Sequence, residues 1–156
     1  MRRSACLAAA LTALAASSAR AQNPWRETGL WGAALFSRPA FYGGGLSLAW
    51  RDAGRTRLGI AAAAGGEEHA GVAGRIEATW NFLLDPWKRG GNGLYAGGGL
   101  ALAVAHDGRV HPAVEALLGI ESNPAGRRGE FIEAGFGRGA RIAIGIRWRT
   151  PRGAGG

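Results

Sequence analysis

Residues 140–149 read ARIAIGIRWR. On one parity stand Ile142, Ile144, Ile146 and Trp148; on the other stand Arg141, Ala143, Gly145 and Arg147. Successive side chains of a strand point to opposite faces of a sheet. This segment therefore predicts a strand with one apolar face and one face that carries two cations. Several other segments of similar length follow the same rule, and an export signal precedes them. Apolar alternation of this kind, after such a signal, predicts a transmembrane β-barrel with its apolar face to lipid and its polar face to the lumen.

Working outward, eight strands are predicted, at about 27–36, 41–51, 56–65, 70–83, 94–105, 109–121, 130–137 and 140–149. Tilted membrane strands need about nine to eleven residues. The connections carry turn chemistry, such as Ser37-Arg38-Pro39, Asp85-Pro86, Asp107-Gly108 and Ser122-Asn123-Pro124. In the third strand Leu58 and Ile60 oppose Arg57 and Gly59. In the fourth, Val72, Ile76, Ala78, Trp80 and Phe82 oppose Arg75, Glu77, Thr79 and Asn81. In the sixth, Val110, Val114, Ala116, Leu118 and Ile120 oppose His111, Glu115, Gly119 and Glu121. The first two strands are less regular. The fold class expected is all-β: an antiparallel up-and-down transmembrane barrel of about eight strands.

Met1 to Ala21 reads as a cleaved signal peptide. Arg2 and Arg3 precede an apolar run from Cys6 to Ala16, and Ala19-Arg20-Ala21 is a small-x-small cleavage site. The domain plan is signal peptide 1–21, barrel 22–149 and flexible tail 150–156. Cys6 is the only cysteine and leaves with the signal, so disulfide staples are excluded. Removing Arg2, Arg3 and Arg20 from 19 basic residues leaves 16, against 11 acidic ones. In an exported chain this excess points to anionic lipid or glycolipid head groups, or to solubility during transit, and not to nucleic acid.

The inward charges expected are Arg57, Arg75, Glu77, Glu115, Glu121, Glu133, Arg141 and Arg147. An eight-stranded barrel is wide enough only for side chains or one small ligand. Opposite charges sealed there should pair. They read as a structural plug, with a gated ion path or ligand site as the sharper alternative. Membrane barrels place aromatics at both interfaces. The girdle expected comprises Trp50, Trp80, Phe82, Trp87, Tyr95 and Trp148 at the periplasmic rim, and Phe36, Phe41, Tyr42 and Phe136 at the outer rim. Small inward residues such as Gly43, Gly45, Gly97, Gly99 and Ala101 suit tight curvature; an acyl-chain cavity is the alternative.

Catalytic patterns are sparse. Ser37, Ser47 and Ser122 show no local partnership with a histidine and an acid. Neither the Ser–His pair of lipid A deacylases nor the residue set of lipid A palmitoyltransferases is recognisable. His69, His106 and His111 show no metal-ligand spacing, so no metal or cofactor is expected. Gly43-Gly44-Gly45 and Gly97-Gly98-Gly99 fall within strands and are not phosphate loops.

The segments LYAGGGLALAV at 94–104, PAVEALLGIES at 112–122, FIEAGFG at 131–137 and RIAIGIRWR at 141–149 resemble the small outer-membrane β-barrel family, of outer-membrane protein A/X-like architecture. The resemblance implies a monomer in the outer membrane of a Gram-negative-type bacterium. It also implies contact with membrane lipid and lipopolysaccharide, and insertion by the outer-membrane assembly machinery. Trp148 matches the aromatic that ends the family's last strand; Arg149 to Gly156 depart from the pattern by continuing beyond it. A structural or envelope-integrity role is expected. A lipid-modifying barrel enzyme and a soluble secreted barrel for an apolar ligand are the alternatives.

Overall fold

The computed structural model describes residues 25–52, 55–68, 71–86 and 90–151. The expected signal peptide with Cys6, His69, Trp87 and residues 152–156 of the expected tail lie outside the described residues. Eight strands follow one another: β1 Trp25–Phe36, β2 Phe41–Arg51, β3 Thr56–Glu67, β4 Gly71–Leu83, β5 Asn92–Val104, β6 Val110–Ser122, β7 Arg128–Phe136 and β8 Ala140–Pro151. Each pairs antiparallel with its neighbour, and β8 returns to β1, so the sheet is a closed barrel. Antiparallel neighbours need only short hairpins between them. The Asp107-Gly108 turn shows how: Gly108 adopts φ +79°, a region that side chains disfavour. Its N–H donates to the Ala105 carbonyl at 2.9 Å, while the Arg109 N–H donates to Asp107 Oδ1 at 3.0 Å.

Closure leaves no sheet edge unpaired. The β1–β8 seam runs from Trp25 opposite Pro151 to Phe36 opposite Ala140. Two strands extend past the expected limits at this seam, because Trp25 and Arg26 pair with Pro151 and Thr150. Arg149 thus stands inside β8 and not at the root of a tail. Both ends of the described chain lie at one end of the barrel, called here the terminal end; the hairpins 37–40, 105–109 and 137–139 lie at the far end.

Burial alternates along every strand. In β7 each odd residue from Gly129 to Gly135 is buried and each even one is exposed. Large apolar side chains crowd the outer surface: Leu46, Ile60, Ile76, Leu100, Val114, Leu118, Ile132 and Ile144 are all at least half exposed. Inside, the two small apolar clusters are Trp31 with Phe131 and Ala143, and Leu35 with Phe41 and Ala73. Apart from Leu83, Tyr95, Asn81, Leu117 and small residues, the rest of the described interior is charged. This inverts the distribution of a water-soluble protein, in which charged residues are seldom fully buried.

Candidate functional site

The lumen holds six arginines and five glutamates among the described buried residues. They are linked in one chain of alternating sign along the barrel. Nearest the far end, Arg75 pairs with Glu115 and, through Nε at 2.6 Å, with Glu77. Glu77 then meets Arg141 at 3.3 Å, Arg141 meets Glu133 at 3.0 Å, and Glu133 meets Arg147 at 2.7 Å. Arg147 reaches Glu121 at 3.1 Å. Glu121 also accepts from Arg57 at 2.7 Å and Arg149 at 3.0 Å. Both of those arginines pair with Glu27, at 2.9 and 3.3 Å. All eight residues expected inside are buried and belong to this chain. Arg75 thus pairs with Glu115 and Glu77, while Glu133 is taken by Arg141 and Arg147.

Three members escape the sequence reading: Glu27, Arg51 and Arg149. Arg51 and Arg149 close the terminal end. Arg51 donates to the Pro124 carbonyl at 2.7 Å, and Arg149 donates to the carbonyls of Asn123 and Gly126 at 3.0 and 3.2 Å. The β6–β7 hairpin is thereby held to the charged lumen.

Two aromatics expected at the girdle point inward instead. Tyr95 is fully buried and Phe41 is 6 % exposed. Parity explains both: Tyr95 shares its face with Gly97 and Gly99, and Phe41 with Gly43 and Gly45. Tyr95 lies between two guanidinium groups, with Arg57 and Arg147 each 5.1 Å from its ring centroid, within cation–π range. Its hydroxyl donates to Glu133 at 2.8 Å. Arg147 also lies 3.9 Å from the Phe131 ring centroid, and Arg141 lies 5.3 Å from that of Trp31. The remaining expected girdle residues within the described chain face outward: Trp50, Trp80, Phe82 and Trp148 toward the terminal end, and Phe36, Tyr42 and Phe136 toward the far end.

Inward rings account for some of the glycine. Tyr95 pairs across the ladder with Gly119, and a Cβ on Gly119 would occupy the Tyr95 ring. Phe131 pairs with Gly145, and a Cβ there would lie 2.7 Å from its ring. These glycines make room for a ring lying flat on the sheet, a requirement separate from curvature. Gly119→Val should therefore destabilise the barrel by about 1–3 kcal/mol through overpacking. The unfolding midpoint in denaturant measures it. Gly66→Val, where only the Gly71 carbonyl comes near at 3.9 Å, should cost under about 1 kcal/mol.

At the far end the lumen opens into a cup of about 240 Å³. Leu35, Phe41 and Ala73 contribute apolar wall, and His106, His111, Arg109 and Arg138 contribute polar lining. The serines are dispersed. Ser37 donates to the Pro39 carbonyl at 2.7 Å and Ser122 to Glu130 at 2.7 Å; Ser47 lines a separate mid-lumen cavity of about 40 Å³. His106 and His111 line the far-end cup together with Ser37, Asp107 and Glu67, and there the Ser37 hydroxyl donates to the Pro39 carbonyl and not to a histidine. Space for only a few water-sized particles at mid-lumen also leaves no acyl-chain pocket there.

Comparison with known proteins agrees with this geometry. No protein-family model and no curated protein sequence matches the chain. Among solved structures, the chain is similar to the N-terminal β-barrel domain of Pseudomonas aeruginosa OprF, with a TM-score of 0.66 and 14 % identity over 84 % of this chain and 100 % of that one. It is also similar to Neisserial surface protein A, NspA, with a TM-score of 0.58 and 12 % identity over 83 % and 98 %. A de novo designed transmembrane β-barrel gives a TM-score of 0.57 and 12 % identity over 83 % and 98 %. The shared feature is the fold.

Proposed function

We propose that the chain is an exported, monomeric outer-membrane barrel with a structural or envelope-integrity role and no catalytic activity. The observation that carries this reading is the partition of the barrel wall. Outward parity presents Leu, Ile, Val and aromatic side chains around the barrel, while the strongly buried arginines and glutamates face the lumen. In water such a surface would form an apolar patch far beyond the few hundred Å² that soluble monomers expose. In a bilayer it is the expected surface, with aromatic rims at the interfaces. The inverted soluble reading would need Ile142 and Ile144 inside, but they are 52 % and 61 % exposed.

On this reading the terminal end faces the periplasm and the far end faces outward, toward lipopolysaccharide. The ion-paired interior supplies rigidity, and β8 with Trp148 is the strand read by the assembly machinery. The signal peptide directs export.

The test is fractionation of the mature chain, together with spin labels on β8. The protein should partition with outer membrane and run with heat-modifiable mobility in detergent gels. Labels at positions 142 and 144 should sense bilayer-dissolved oxygen, and labels at 141 and 147 should be shielded from it. A freely soluble mature chain, or the reverse accessibility, would end this reading.

A further inference from the structure

The mid-lumen cavity of about 40 Å³ is bordered by Trp31, Arg57, Asn81 and Arg141. These four side chains are 5 %, 1 %, 3 % and 5 % exposed. Each carries a buried polar atom with no hydrogen-bond partner in the protein: Trp31 Nε1, Arg57 Nη1, Asn81 Oδ1 and Arg141 Nε. Buried polar groups are nearly always satisfied, so four orphaned atoms around one cavity point to an occupant. Three of the four are obligate N–H donors. Asn81 can offer its amide N–H₂ by turning over, since the two ends of an amide are distinguished only by their hydrogen bonds.

Charge narrows the choice. Arg57, Arg141 and Arg147 line the cavity against Glu77 and Glu133. The whole lumen repeats that imbalance, with six arginines against five glutamates among the described buried residues. Every carboxylate there is already paired with at least one arginine. A cation would meet donors and excess positive charge. Each lining arginine already meets carboxylates; water would satisfy the free donors, but only an anion would also offset the one surplus positive charge of the described lumen, which is costly away from solvent. The space admits roughly one to three water-sized particles, which excludes organic anions.

We propose that the centre of the barrel binds one small monovalent anion of halide size, held by the Arg57 and Arg141 guanidinium groups and the Trp31 indole N–H. The inference depends on the closed barrel alone and stands whether or not the wall meets lipid.

Bromide is the probe. Crystals of the folded mature chain grown in bromide should show one anomalous peak among Trp31, Arg57, Asn81 and Arg141. In detergent solution, exchanging gluconate for bromide at constant ionic strength should raise the unfolding temperature and then saturate, as binding to the folded state requires. Asn81→Asp supplies a fixed negative charge in the cavity. It should remove both the peak and the bromide response while heat-modifiable mobility persists. Trp31→Phe loses a single donor and should raise the half-saturating bromide concentration about tenfold, the effect of one hydrogen bond to a charged group; this variant decides the matter if Asn81→Asp does not fold. Density without anomalous signal, stabilisation equal for gluconate and bromide, a peak with no response in solution, or an unchanged response in Trp31→Phe would each overturn the proposal.

Discussion

Glu121→Gln should lower the stability of the folded barrel by about 3–5 kcal/mol, the range for breaking a buried pair by removing one partner. Glu121 is the most heavily used carboxylate in the lumen. It accepts from Arg57 at 2.9 and 2.7 Å, from Arg147 at 3.1 Å and from Arg149 at 3.0 Å, and Arg51 lies 3.9 Å away. Glutamine keeps the shape and one acceptor oxygen but removes the charge. Four guanidinium groups are then left with Glu27 and Glu133 between them. The matched control is Glu130→Gln on β7. Glu130 pairs with Arg128 at 3.9 Å, with both side chains more than 60 % exposed, and water already screens that pair. Exposed pairs contribute about 0–1 kcal/mol, so its loss should shift the midpoint little. Unfolding in denaturant, followed by the heat-modifiable gel band, measures both. Equal, small effects of the two substitutions would show that the lumen ladder does not hold the barrel together.

The ladder also bears on register. A one-residue slip of any strand moves its inward set to the outer face. For β8 that would turn Arg141, Arg147 and Arg149 outward and Ile142, Ile144 and Ile146 inward. A two-residue slip keeps the faces but displaces each arginine from its carboxylate by two positions. Both alternatives leave charges unpaired, whereas the observed pairing matches every lumen glutamate with an arginine. Stability and uniqueness of register thus come from the same residues. An all-apolar filling of the lumen could supply stability without this discrimination, since apolar contacts are not directional.

Parity explains how much of this was legible beforehand. Where β-strands alternate cleanly, as β4 and β6 do, both faces follow from the residues alone, and the inward Arg75, Glu77, Glu115 and Glu121 are found by counting in twos. Glu27 is missed because β1 mixes large apolar residues on both parities: Trp31 and Leu35 point inward while Leu30 and Phe36 point outward. Arg51 and Arg149 are missed because they stand at strand ends, where a charge is as readily assigned to a turn or a tail. Tyr95 and Phe41 are misassigned because both stand near the ends of their strands, a height that suits a girdle residue, while their face is the inward one. Their neighbours in steps of two, glycines in both cases, carried the correct signal. A ring beside glycines on its own face marks an inward aromatic, because a glycine provides the space on which the ring lies: Gly119 across the ladder for Tyr95, and Gly43 two residues along the same strand for Phe41. Which carboxylate meets which arginine was not legible. That depends on the stagger between strands, and stagger is set around the closed ring and not within any one segment.

Ile144→Arg should destabilise the barrel by about 2–4 kcal/mol in lipid vesicles, the cost of a cation on the lipid face near the bilayer midplane. Ile144 is 61 % exposed, faces outward from β8, and sits opposite Gly32 on β1 and Ile132 on β7. It touches none of the lumen charges, so the substitution tests the outer surface alone. Arginine at Thr150, on the same strand and face but at the terminal end, should cost about 0–1 kcal/mol, because the penalty falls toward the interface. Both substitutions keep the barrel's hydrogen bonds and the lumen ladder intact. The contrast between them therefore reports depth in a membrane and nothing else. Were the outer surface in water, both would be surface changes within about 0.5 kcal/mol, and Ile144→Arg would improve solubility. Reversible unfolding of the three proteins in vesicles gives the comparison. Recovery of folded Ile144→Arg at the wild-type denaturant midpoint would remove the physical basis for placing this wall in lipid.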